Sequence, residues 1–456
     1  MLVPTPTSAL GALVALSTLL SFNPFSASVL AAPGPSPSVP TGPARLDERA
    51  SSASTGARIA LSKRTNRMSW AGLRLKMANG VVNLDNLNNA VVRLQQKYQA
   101  GASRYHWRTG KTLPGFSLKT YEAWSKIALA PITNRVGLSK RQRDPLTNYL
   151  DGNLWAGTVQ VGTPPQEFTI DFDTGSSDFW IPGVGVTGFT TFDPSKSSTA
   201  KNSTDRFSIA YGDGSTVSGP VYTDTVTVAG LSAENQHFSP VTTMGTDFGE
   251  TPVDGILGMG FESISNLGER PFFQTLWEEG KVSQNLFSFV LGNADDGELF
   301  LGGLDESKYT GPLTYTPVVQ KGYWQVHGTP YANGAALEAN QNMIIDTGTT
   351  LVIGPRTAVA KFFQKIRGAR RWRSGYYMYP CSASFTAEFE FGGVKYAIPS
   401  EYLNLGLTAV GSSYCVAAIV GEDVGVDAWV IGDAFLRSVY TVFNAGTSSV
   451  GFANLA

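Results

Sequence analysis

The chain is poor in the residues on which most hydrolytic chemistry depends. It has three histidines, His106, His237 and His327, widely separated and without a His-Glu-x-x-His pair, so no helix-borne zinc site is expected. No Gly-x-Ser-x-Gly occurs, which removes the commonest nucleophilic-serine turn. No cofactor or metal is implied. Cysteine is nearly absent: Cys381 and Cys415 are the whole complement. In a secreted chain an even pair reads first as a disulfide, with two buried free thiols as the alternative. Long apolar runs are missing too. The stretch "ALGALVALSTLL", from Ala9 to Leu20, is too short to span a bilayer as a helix, and Pro24 blocks its extension. Small residues follow it, so residues 1–31 read as a cleaved signal peptide with the cut near Ala31 or Ala32, although no Lys or Arg precedes the apolar core.

Acidic residues are scarce in the first third. Between Ala32 and Arg143 there are 19 Lys and Arg against 4 Asp and Glu, whereas Asp144 to Ala456 holds 16 against 32. No nucleic-acid motif accompanies the basic segment, so pairing with the acidic remainder of the same chain is its simpler use. The segment opens on the Pro-rich "APGPSPSVPTGP", which is expected to stay extended. Leu84, Leu87, Val91, Leu94 and Tyr98 then fall at spacings of three and four, one face of an amphipathic helix that needs a partner surface. At "LSKRQRDP", Lys140, Arg141 and Arg143 offer basic cleavage sites just where the composition changes sign. Residues 32–143 therefore read as a removable basic prosegment.

From Leu154 the texture is that of a mostly β protein, with short alternating runs such as "TVQVG", "FTIDF", "YTDTVTV" and "FEFGGVKYAI". Helical patterns are few, the clearest lying near Phe272 and from Arg356 to Gly368. A repeat organises the region. "DFDTGSS" around Asp173 returns as "IIDTGTT" around Asp346, and "ILG" ending at Gly258 returns as "VIG" ending at Gly432. Aspartate and glycine are 85 residues apart in the first copy and 86 in the second. Two related lobes follow, 144–315 and 316–456, each supplying one carboxylate.

If a near-two-fold axis brings Asp173 and Asp346 together, both cannot ionise at once and they share a proton. One is then a base while its partner is an acid, and a water held between them can be activated for attack on a carbonyl. Gly175 and Gly348 allow sharp turns, and Ser176 and Thr349 place hydroxyls beside the carboxylates. Phe172 and Ile345 would exclude water from behind the pair. In "FSIAYGDGSTVSG" the Asp213-Gly214 turn signal places Tyr211 and Gly212 near the tip of a β-hairpin.

The chain from about Leu154 to Ala456 resembles a pepsin-like aspartic endopeptidase of the secreted fungal type. The resemblance rests on "DFDTGSSDFWIP", "YGDGS", "VDGILGMGF", "IIDTGTTL" and "VIGDAFLRSVYTVFNAGTSSVGFA", in family order. It implies a bilobal β fold with the site in the cleft between the lobes, and Asp173 and Asp346 as the catalytic pair. Ser176 and Thr349 would bond their outer oxygens, and Thr174 and Thr347 would cross-brace the two loops. Tyr211 would close over the substrate as the flap tyrosine, buttressed by Trp180, with Phe248 and Ile256 along the binding cleft. It also implies a prosegment that fills the cleft at neutral pH and leaves on acidification, and sensitivity to pepstatin-type inhibitors. Asp213, aided by Asp171, would border the acyl-side pocket, so large apolar residues and also Lys are expected there.

There are departures. The loop after Trp180 lacks cysteine, so of the family's disulfides only the one matching Cys381 and Cys415 is expected. The stretch from Lys365 to Arg373 is unusually basic, and lining the cleft, binding a cell wall or ending a helix in solvent are its three readings. Asn202 heads an N-glycosylation sequon. The expected partners are protein and peptide substrates, with neither nucleic acid nor membrane, and the protein is expected to be a monomer. Secretion is the expected destination, with the vacuole as the alternative; the last residues, "VGFANLA", argue against a lipid anchor. The competing function is a non-catalytic binding or inhibitor protein on the same fold.

Overall fold

The computed structural model describes residues 57–61, 75–116, 154–210, 216–245, 253–292 and 297–456. The signal peptide, the Lys140, Arg141 and Arg143 cleavage sites, the hairpin tip with Tyr211, Gly212 and Asp213, and Phe248 lie outside them.

Alternation builds the first lobe. In the strand Thr216–Val228, Val217, Val221, Val226 and Val228 turn inward, and strands of this kind assemble an eight-stranded sheet. Near its centre, Gln166–Asp173 runs parallel to Gly255–Gly258, which in turn runs antiparallel to Phe179–Pro182. The second lobe repeats the device. Gln341–Ile345 runs parallel to Trp429–Ile431, and Val352–Gly354 lies antiparallel to Trp429–Ile431. In both copies the chain leaves a buried strand, makes a loop carrying aspartate, and returns on the far side of a strand from elsewhere in the lobe. The glycines that end those inserted strands have a steric reason. A Cβ on Gly258 would lie 2.5 Å from the Asp178 nitrogen, and one on Gly432 would lie 2.5 Å from the Leu351 carbonyl oxygen. The inserted strand passes too close behind the aspartate loop for any side chain.

A six-stranded sheet joins material from both lobes, its middle formed by Leu286–Val290, Val439–Asn444 and Ser449–Leu455. Behind it Phe287 stacks on Phe443 at 5.2 Å, with the buried Trp324 edge-on to both. One outer strand of this sheet is Ala57–Leu61, antiparallel to Gly297–Leu301. Residues 32–143 were expected as a basic prosegment, with no strand singled out there, so this pairing is an addition. A smaller four-stranded sheet runs in the order Arg370–Arg373, Tyr376–Pro380, Tyr414–Ala417, Asn404–Leu407, and a disulfide links Cys381 to Cys415 beside it.

The helix expected around Leu84 is the longest in the described residues, α1, Leu84–Thr109. Asn83 caps its start by accepting the Asn86 N–H, and Gly110 ends it in the left-handed conformation. Leu87, Val91, Leu94 and Tyr98 are all buried, so the partner surface the pattern demanded is present. Among the described residues no helix is long and apolar enough to cross a membrane.

Candidate active site

Asp173 ends the strand Gln166–Asp173, and Asp346 follows the strand Gln341–Ile345. Both side chains are buried. Asp173 accepts the Gly175 N–H at 2.8 Å and the Ser176 hydroxyl at 2.6 Å. Asp346 accepts the Gly348 N–H at 3.0 Å and the Thr349 hydroxyl at 2.6 Å. The two loops are locked reciprocally. Thr174 N–H donates to the Thr347 hydroxyl at 3.1 Å, and Thr347 N–H donates to the Thr174 hydroxyl at 3.0 Å. Each hydroxyl then donates across to a strand carbonyl, Thr174 to Ile345 at 3.0 Å and Thr347 to Phe172 at 2.6 Å. A Cβ on Gly175 would lie 2.5 Å from Asp346 Oδ1, and one on Gly348 would meet the Asp173 carboxylate. Each glycine therefore passes beneath the other loop's acid, and the two carboxylates share one space.

That space also holds two side chains of α1. The Lys97 ammonium lies 2.7 Å from Asp173 Oδ1 and 2.9 Å from Asp346. The Tyr98 hydroxyl donates to Asp346 Oδ2 at 2.8 Å. Around them, Tyr323 packs at 4.8 Å from the Tyr98 ring and donates its hydroxyl to the Tyr98 carbonyl at 3.0 Å. At the far end of α1, Arg108 donates to the carbonyls of Glu262 and Gly268 and to the Glu262 carboxylate. Tyr98 was expected on the apolar face of the helix, whereas nothing was expected of Lys97 or Arg108. A signal was available: α1 offers Lys97 no carboxylate one turn away, since Arg93 and Gly101 occupy those positions.

Burial and neighbouring charge set the ionisation of this cluster. Burial works against the Lys97 ammonium, but Asp173 and Asp346 outweigh it and hold it above the usual lysine range. Burial raises Asp173, with Lys97 opposing and Asp346 adding to the rise. For Asp346 burial also pushes upward, yet Lys97 and the Thr349 hydroxyl prevail and hold it below the ordinary carboxylate range. Asp171, buried on the strand two residues before Asp173 and opposite Ile256, is raised by burial and by Asp173. Asp433, at the start of the short helix Asp433–Leu436, is raised by burial and by Asp171.

Asp433 carries a stability prediction. A carboxyl raised in the folded state favours folding fully below its unfolded value, near 4, and that contribution is lost as pH rises toward the raised folded value, at about 1.4 kcal/mol per pH unit. Asp433→Asn, of the same shape without the charge, is expected to melt at higher temperature than the parent, by a margin that widens as pH rises from about 4 to 7. Thermal unfolding across that range checks it, and parallel curves would refute it.

Of the other expected site residues, Trp180 is buried with Phe207, Val217, Val221 and Val241 at the base of the hairpin whose tip carries Tyr211, and the half-buried Ile256 packs against that group. Asn202 is exposed on the strand Lys201–Ala210. The Lys365 to Arg373 stretch leaves a helix and becomes an edge strand.

Paired aspartates on two interlocked, duplicated loops have a counterpart in known proteins: residues 154–455 match the family model for eukaryotic aspartyl proteases. The chain belongs to that family. It is similar to an aspartic protease of Phaffia rhodozyma, 42% identical over 68% of this chain and 78% of the relative. It is also similar to pepsin A of Bos taurus, 37% identical over 74% of this chain and 94% of the relative, and to pepsin A of Sus scrofa, 38% identical over 69% and 84%. Eukaryotic aspartyl proteases are aspartic-type endopeptidases, and this chain is a hydrolase of that type.

Proposed function

We propose that the protein is made as a secreted zymogen and cleaves proteins at acid pH with Asp173 and Asp346 as its catalytic pair. One observation carries the reading: the Lys97 ammonium sits within 2.9 Å of both carboxylates. A water molecule in its place would reach both acids. As its oxygen bonds to the scissile carbonyl carbon, its proton passes to the ionised aspartate while the protonated partner gives its own proton to the carbonyl oxygen. Collapse of that diol breaks the C–N bond, a proton going to the leaving nitrogen. Ser176 and Thr349 hold the outer oxygens, and the threonine lock keeps the two acids at one spacing without loop motion.

While α1 is in place Lys97 takes the water's position and Tyr98 occupies one oxygen of Asp346, so the segment 32–143 is the enzyme's own inhibitor. Protonation of the acids weakens its hold, which ties activation to acid. Asp213 belongs to the substrate side of this reading: ionised, it favours Lys in the acyl-side pocket, alongside large apolar residues, while Asp171, raised by burial, stays protonated in acid and aids it only as a hydrogen-bonding neighbour. Tyr211 closes the flap over the substrate, and exposed Asn202 is the glycosylation acceptor.

The test is to bring purified full-length protein to about pH 4, near the ordinary carboxylate value, and follow its size together with cleavage of denatured globin, with and without pepstatin. Pepstatin-sensitive cleavage that rises as the basic segment is lost is expected. A protein that stays silent after its segment has been trimmed at Lys140-Arg141 by an added protease would overturn the reading.

A further inference from the structure

From Thr347 to Ala387 the chain has no acidic residue, yet it holds seven of the sixteen Lys and Arg found after Asp144, in a region that is otherwise strongly acidic. Arg356 pairs with Glu422. The other six are Lys361, Lys365, Arg367, Arg370, Arg371 and Arg373, all exposed, and among the described residues none forms a salt bridge. They lie on two adjoining elements and the link between them. The helix Arg356–Gln364 is fastened to the strand Tyr376–Pro380 by Phe363 stacking on Tyr377 at 4.3 Å, and Arg370–Arg373 pairs with that strand. Arg370 lies over the Tyr414 ring at 4.4 Å and Arg373 over the Trp372 ring at 5.3 Å, which ties both guanidinium groups to the surface.

Protecting a sheet edge needs a charge or two. Three arginines in four residues, continued by three cations along the adjoining helix end, are more than that purpose requires. The patch faces the solvent of an enzyme working in acid, where carboxylates lose their charge while arginine, sulfate and phosphate esters keep theirs. A partner bound under those conditions must carry strong-acid groups. Its form is also constrained. Six cations spread over a helix end and an edge strand suit a polymer better than a small anion. Trp372 and Tyr377 are half-buried in packing and Phe362 and Phe363 are buried, leaving no apolar side chain to enter a bilayer. The Tyr414 ring beneath Arg370 is no free platform for a base.

We infer that this face docks an extended polysaccharide bearing strong-acid ester groups, tethering the protease to an anionic matrix at acid pH. The inference does not depend on which aspartates are catalytic. Heparin serves as the probe, in binding assays on full-length protein at about pH 4 with pepstatin present so that segment 32–143 is not cut away. The basic segment 32–143 attracts heparin as well, so the readouts are the difference between variants and hydrogen-exchange protection of residues 365–378.

R370S/R371S/R373S is expected to bind heparin about a hundredfold more weakly than the parent at about 0.1 M salt, since each lost cation removes most of one counterion from the exchange. K361S/K365S, on an exposed helix side, is expected to weaken binding about tenfold and guards against misfolding of the first variant. Both should cleave globin like the parent. A carboxylated polysaccharide should bind at neutral pH and be released in acid. Unchanged heparin affinity in both variants, or protection confined to segment 32–143, would overturn the inference. So would tighter binding of duplex DNA or phosphatidylglycerol vesicles than of heparin, or a dimer of the parent that the substitutions dissociate.

Discussion

Asp346→Asn is expected to lower kcat/KM on a peptide substrate at least a thousandfold, with little loss of fold. The acid accepts Gly348 N–H and the Thr349 hydroxyl, and an asparagine keeps one oxygen for such bonds. What it cannot do is exchange a proton. Positioned acid–base groups contribute roughly 10²- to 10⁴-fold, and here the pair must give and take protons within one step, so losing one member disables both. Asp173→Asn should therefore cost about as much, and the double variant little more, where independent residues would multiply. Steady-state rates near pH 4 on protein already freed of its segment, beside thermal unfolding of each variant, measure this. A residual rate above about a tenth of the parent's would remove Asp346 from the acid–base role.

The duplication is what made the site legible. Two Asp-Thr-Gly phrases and two inserted-strand glycines recur at matching intervals because the fold uses the same steric solution twice: Gly258 and Gly432 lie where a backbone passes directly behind each aspartate loop. The amphipathic face of α1 was legible for a similar reason, a period imposed by burial. The contacts between segments were not. Lys97 reaches acids 76 and 249 residues away, and no local pattern encodes such a meeting. Gly101 in mid-helix was a clue of the same kind, since a Cβ there would strike Tyr323; a residue that disfavours helix stands in α1 so that another ring can approach. The strand Ala57–Leu61 draws its identity from a vacant sheet edge rather than from its own few residues. The expectation that Lys365 to Arg373 ends a helix in solvent was half the picture: the helix ends at Gln364, and three of the arginines then join a sheet.

Lys97→Met is expected to release the basic segment at higher pH than the parent and at least tenfold faster at about pH 5.5, above the ordinary carboxylate value. The ammonium is held above its usual range and stays charged throughout, so the pH switch lies with the acids. Asp346, held below its ordinary value, stabilises the closed form at neutral pH, and that contribution disappears as pH falls through its lowered value. Methionine keeps the length of the stem and removes the charge, leaving two buried carboxylates facing an apolar group. Breaking a buried ion pair in this way costs about 3 to 5 kcal/mol. The side chain is 16% exposed and the acids can recover part of the loss by sharing a proton, which brings the expected effect down to between tenfold and a hundredfold. Tyr98→Phe removes one hydrogen bond from Asp346 and leaves the ammonium on both acids, so it should accelerate release less than Lys97→Met does. A time course of segment loss by size, run with pepstatin and a trace of an added protease that cuts at Lys140-Arg141 so that opening is read apart from self-cleavage, ranks the three proteins. If Lys97→Met and the parent open along the same pH profile, the ammonium between the aspartates is not what keeps the enzyme closed.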